Sequence, residues 1–161
     1  MEVNVMDKEA LRQFLIAANQ AGYAGGEEKK WIKEQDGSTT IPFEKGQWKS
    51  HDNFFGGEPY GGRTVVFFEG KPVWLMVYYG WAVEGVEAHA VYKVLRNALR
   101  QMPEDHPFRG PGEYQEGNFV YTNLWDGEIS RFSGEEKIVE GGKLLYKASY
   151  LGGLVDQRRG V

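Results

Sequence analysis

The stretch from Phe43 to Gly80 is echoed about seventy positions further along the chain, and few features constrain a fold as strongly as a repeat of this length. Gly46-Gln47-Trp48 lies opposite Gly117-Asn118-Phe119, Phe55-Gly56-Gly57-Glu58 opposite Trp125-Asp126-Gly127-Glu128, and Glu69-Gly70-Lys71 opposite Glu140-Gly141-Gly142-Lys143. At the end of each stretch, Trp74, Met76, Tyr78 and Gly80 match Tyr146, Ala148, Tyr150 and Gly152. In both, apolar residues alternate between glycine-bearing turns, the period of strands joined as a meander. A helical pattern precedes each. Leu11, Phe14, Leu15 and Ala18 recur at helical spacing behind the N-cap candidate Asp7, with Gly22 placed to end the run. Val91, Val94, Leu95, Ala98, Leu99 and Met102 form a second stripe, opposed by Lys93, Arg96, Asn97 and Arg100 and stopped by Pro103. The expected fold is α+β: two α–β-meander repeats, with curved antiparallel sheet packed on two helices. Residues 1–161 read as a single domain, divided as an internal duplication over about 7–82 and 87–153. Turn chemistry shared by two glycine-rich meanders is the competing source of the echo.

Composition agrees with strands and tight turns, since the chain carries 9 Phe, 9 Tyr, 5 Trp and 22 Gly. Nineteen basic against 23 acidic side chains leave a net charge of −4, which argues against direct nucleic-acid binding. With no cysteine there is no disulfide scaffold, thiol nucleophile or thiolate metal site. Met1-Glu2-Val3-Asn4 has neither the basic nor the apolar region of a secretory signal, and the apolar run Val73 to Tyr79 is too short to span a membrane. A cytoplasmic protein without membrane association is expected. Tyr23 to Pro42 reads as a mobile polar connection holding Gly25-Gly26, the charge run Glu27-Glu28-Lys29-Lys30 and the turn former Asp36-Gly37, and Arg158-Arg159 reads as a loose tail.

Strand alternation poses a question about surface. Val73, Leu75, Val77 and Tyr79 share one face of their strand, whereas the matching face in the second stretch, Leu145, Lys147, Ser149 and Leu151, is half polar. Burying each such side chain is worth about 1.5–3 kcal/mol, so a cover is expected: the second helix first, then a homodimer partner, with the other half of the chain or a ligand as further candidates.

No arrangement in the sequence couples a nucleophile to a base. Gly57 to Thr64 has the spacing of a phosphate-cradling loop, but Thr64-Val65-Val66-Phe67-Phe68 continues as a strand rather than a helix, which excludes that reading. His51, Asp52 and Glu58 could act as an acid–base group, although neighbours on a strand point to opposite faces. Four carboxylates, Glu113, Glu116, Asp126 and Glu128, offer a second such group in the later meander. His89 and His106 show no metal-ligand spacing, so neither a metal nor a cofactor is expected. Arg109, held in Phe108-Arg109-Gly110-Pro111, could clamp an anion or tie down loop carbonyls. Trp48, Phe55, Trp74, Tyr78, Trp81 and Trp125 are the candidate ligand-binding rings, with a role in the core as the alternative. The leading expectation is a non-enzymatic module that binds a small molecule or a protein, of effector or sensor type. The alternative is a hydrolase-like acid–base enzyme using His51, Asp52 and Glu58 or the later carboxylates.

Several of these motifs carry a resemblance. Tyr23-Ala24-Gly25-Gly26, Gly46-Gln47-Trp48, Phe54-Phe55-Gly56-Gly57-Glu58, Gly70-Lys71-Pro72-Val73-Trp74, Tyr78-Tyr79-Gly80, Pro107-Phe108-Arg109-Gly110-Pro111 and Gly117-Asn118-Phe119 together resemble a prokaryotic family of domains of unknown function, across nearly the whole chain. Some members resemble C-terminal modules behind a helix-turn-helix regulator, which implies a sensing or interaction role and no DNA contact by this part. The resemblance brings no catalytic residues with it.

Overall fold

In the computed structural model, which describes residues 6–24 and 31–158, the Asp7 carboxylate accepts a hydrogen bond from the Ala10 amide at 3.0 Å and opens helix α1 (Lys8–Ala24). The helix passes through Gly22, where a stop was expected; a glycine inside a helix costs only about 1 kcal/mol relative to alanine, too little to end a run packed on a core. The expectations for Met1 to Asn4, Gly25-Gly26, Glu27 to Lys30 and Arg159 fall outside the described residues.

The segment read as a polar connection holds two strands instead, β1 (Ile32–Lys33) and the start of β2 (Thr39–Lys45). Gly37, at φ +91°, permits a reversal tight enough to pair Lys33 with Thr39 and Ile32 with Thr40. The meander continues through β3 (Trp48–Gly56), β4 (Tyr60–Phe68) and β5 (Lys71–Ala82). Helix α2 (Ala88–Leu99) follows, capped by the Glu87 side chain, which accepts from the amides of His89 and Ala90. It ends before Met102, which the apolar stripe had included. The second meander comprises β6 (Glu113–Glu116), β7 (Phe119–Glu128), β8 (Arg131–Glu140) and β9 (Lys143–Leu154).

Among the described residues, all pairings are antiparallel in one nine-stranded sheet of order β1-β2-β3-β4-β5-β9-β8-β7-β6. The meanders therefore meet along β5 and β9, in a register running from Trp74↔Leu154 through Tyr78↔Tyr150 to Ala82↔Tyr146. Each meander carries one irregularity on its seam strand, where β5 inserts Val73 against the step from Val66 to Phe67 in β4 and β9 inserts Leu145 against the step from Ile138 to Val139 in β8. The correspondence proposed around the hairpins needs a shift of one residue. Phe55 is 51% exposed, whereas Phe54 and Trp125 both pack against the core, so Phe54 rather than Phe55 shares the setting of Trp125.

Both helices lie on the same face. Leu11, Phe14 and Leu15 of α1 bury against Trp74, Met76 and Tyr78, while Val91, Val94, Leu95, Ala98 and Leu99 of α2 bury against Tyr146 and Ala148. This corrects the expectation that α2 covers the face of Leu75, Val77 and Tyr79. Inward residues of β5 are the even-numbered ones, so the helices can reach only those, and Val77 (38%), Tyr79 (54%) and the adjacent Leu151 (58%) are exposed on the helix-free face. Val73 escapes exposure because it is itself the extra residue that shifts the alternation, leaving it 7% exposed.

Candidate functional site

Pairing of β2, β3 and β4 aligns Thr40, Asn53 and Arg63 across neighbouring strands, and their side chains line an open groove of about 780 Å³ on the helix-free face. The turn between β1 and β2 forms one wall. Its shape is set by Asp36, whose carboxylate accepts from the Ser38 amide at 2.9 Å and from the Ser38 hydroxyl, while the Glu34 amide donates to the Ser38 carbonyl at 2.9 Å. These bonds also hold the Asp36 carboxyl below its ordinary pKa. The Asn53 amide nitrogen then donates to the hydroxyls of Ser38 and Thr40, both at 3.0 Å, and fastens the turn to the sheet. Val65, Phe67 and Pro72 supply an apolar floor.

His51 stands at the junction of this groove with a second one of about 410 Å³ that Trp48, Lys49 and Gly70 help to line. Its ring lies against Phe67, with centroids 5.4 Å apart. Burial pushes the imidazole pKa below its ordinary 6.5, with Lys49 and then Arg63 adding to the effect while Glu44 and Glu34 oppose it. Since the folded value is the lower one, the associated stability is present above the unfolded value and is lost as pH falls through the folded one. Arg63→Gln removes a positive neighbour and is expected to raise the His51 pKa, read from the ring-proton titration by NMR; an unchanged or lower value would show that Arg63 does not act on this ring.

The opposite face holds a different assembly. Arg109 and Glu136, 8% and 0% exposed, form a two-pronged pair, with the Nε donating at 2.9 Å and a terminal nitrogen 2.8 Å away. The guanidinium also donates to the Tyr60 hydroxyl at 3.2 Å and lies 5.4 Å from the Tyr78 ring centre. Glu136 further accepts from Tyr121, Asp52 from Tyr78, and Asn123 from Tyr150, while the hydroxyls of Tyr60 and Tyr146 bond to each other. Burial raises the pKa of Tyr60, Tyr121 and Tyr146, and it raises that of Asp52 against the opposing effects of Tyr78 and Arg109. The donors and acceptors of this web face one another, and it ties the loop at Gly110 to the middle of the sheet through Tyr121 and Asn123.

The sequence candidates are thereby dispersed. Trp74 is 1% exposed, donates from its indole to the Ile129 carbonyl at 3.0 Å and stacks on Phe132. Trp48 packs between Phe14 and Phe68, and Trp125 lies beside His106. Phe55 is exposed, and Trp81 lies beside Tyr79 on the helix-free side. Arg109 bonds to a carboxylate and a phenol. His51 faces the groove, Asp52 bonds inward to Tyr78, and Glu58 accepts from the Ala82 amide and from Tyr92, so these three engage separate partners. Glu113, Asp126 and Glu128 are exposed, and Glu116 accepts from Tyr114 and Asn97. Thr40 and Asn53 were not singled out as site residues, and Arg63 entered only as part of the excluded phosphate loop. Only strand register brings them together, and that is not written in any local motif.

Among the described residues, no three His, Asp or Glu side chains are grouped to hold a metal, and no helix is long and apolar enough to cross a membrane. A family model described as a domain of unknown function (DUF5680) matches residues 52–155, a shorter span than the resemblance implied, leaving Tyr23 to Gly26 and Gly46 to Trp48 outside it. No curated protein and no solved structure matches the chain.

Proposed function

The chain belongs to this family of domains of unknown function, and from that premise, which assigns no chemistry, we propose that it is a non-enzymatic binding module whose groove on the helix-free face takes a small ligand. The observation that carries the reading is the row Thr40, Asn53, Arg63, which places polar groups over an apolar floor in an open cavity. The acid–base alternative loses ground because His51 and Asp52 turn to opposite faces. The reading extends to the two meanders as copies of one α–β unit, supported by the matching irregularities at Val73 in β5 and Leu145 in β9, and to a cytoplasmic setting without direct nucleic-acid contact.

Titration of the isotopically labelled protein with metabolite pools is expected to move the NMR signals of His51, Asn53 and Arg63 while leaving those of the Tyr121 web in place. Arg63→Gln is expected to weaken that response about tenfold, as loss of one charge-assisted contact would. Pools that shift neither the groove signals nor the melting temperature would remove the small-ligand reading. The homodimer, ranked after a covering helix in the sequence, is supported by the exposed Val77, Tyr79 and Leu151, and light scattering that finds a monomer at high concentration would remove it.

A further inference from the structure

Two opposite charges share the groove without meeting. Glu34, on the turn after β1, and Arg63, on β4, both line it, yet among the described residues neither side chain has a hydrogen-bond or ion-pair partner. A carboxylate and a guanidinium that have no partner among the described residues, on separate sides of one cavity, are both satisfied by a ligand that carries an ammonium at one end and a carboxylate at the other.

The sheet supplies a ruler for that ligand. Glu34 continues β1 and its amide bonds to the Ser38 carbonyl ahead of β2, Thr40 of β2 pairs with Asn53 and Asn53 with Arg63, so the backbones of Glu34 and Arg63 stand three strand spacings apart, about 14 Å. An extended peptide advances about 3.3 Å per residue, and the long Glu34 and Arg63 side chains cover part of the distance themselves, which makes three residues the natural length. Between the two ends, the Asn53 amide nitrogen is committed to Ser38 and Thr40, leaving its carbonyl oxygen to accept from a peptide N–H. Val65, Phe67 and Pro72 offer apolar contact to a side chain below.

We propose that the groove binds short apolar peptides with free termini, seating the ammonium at Glu34 and the carboxylate at Arg63. The proposal rests on the groove being the binding site. Its test uses the full chain, isotopically labelled, and four probes: leucyl-alanyl-leucine, its N-acetylated form, its C-terminal amide and free leucine. Saturable shifts of the Asn53 side-chain amide and the Arg63 Nε–H signals are expected with the unmodified tripeptide, and each terminal modification is expected to weaken binding about tenfold. Glu34→Gln should abolish the sensitivity to acetylation, and Arg63→Gln the sensitivity to amidation, which assigns each end to its residue. Equal binding of blocked and unblocked tripeptides would overturn the peptide-terminus proposal while leaving the groove as a binding site. Free leucine binding as tightly as the tripeptide would overturn the length and point to amino acids. Silence from all four probes would overturn the peptide class, and silence from metabolite pools as well would overturn the groove.

Discussion

Replacing Glu136 with leucine is expected to lower the free energy of unfolding by about 3–5 kcal/mol, the usual consequence of leaving a buried charge without its partner. Glu136 is fully buried, so water cannot take over its role, and Arg109 would lose its counter-charge while Tyr121 lost its acceptor. Urea denaturation followed by circular dichroism measures the loss. The double replacement Arg109→Met with Glu136→Leu is expected to recover much of it, because two apolar side chains of similar volume need no counter-charge. A loss below about 1 kcal/mol for Glu136→Leu would place this pair with solvent-exposed ion pairs such as Lys49 with Glu44, and would overturn its role as the fastening of the web.

Gly152→Ala is expected to cost at least about 3 kcal/mol, at the upper end for overpacking. A Cβ built on Gly152 would lie 2.0 Å from the Leu75 carbonyl oxygen and 2.8 Å from the Met76 Cα, both backbone atoms of the facing strand. No rotamer change relieves that overlap, so β5 and β9 would have to part where the two meanders join. Gly57→Ala, where a Cβ meets nothing within 4 Å, is the control and should leave the melting temperature nearly unchanged. Equal melting temperatures for the two variants would show that the seam tolerates separation.

The α+β architecture was legible because its signals are local. Val91, Val94, Leu95, Ala98 and Leu99 repeat at helical spacing and all are buried, and Glu69-Gly70 makes the β4–β5 turn with both residues at positive φ. The β1 strand was not legible, since two exposed residues make no pattern and its pairing depends on the reversal at Gly37. Alternation identified the face of Leu75, Val77 and Tyr79 but not the direction from which a helix would approach, and here the helices took the other side. Of the candidate rings, Trp48, Trp74, Tyr78 and Trp125 lie in or against the core. The groove depends on Asn53 and Arg63 standing side by side, a contact made by pairing between strands, for which a single chain read in order carries no mark.

The sheet finishes at one margin in β1, with two residues, and at the other in β6, with four. Such brief borders give an incoming strand little main chain to zip onto, so enlargement by lateral accretion, the route to fibres, is curtailed at both rims.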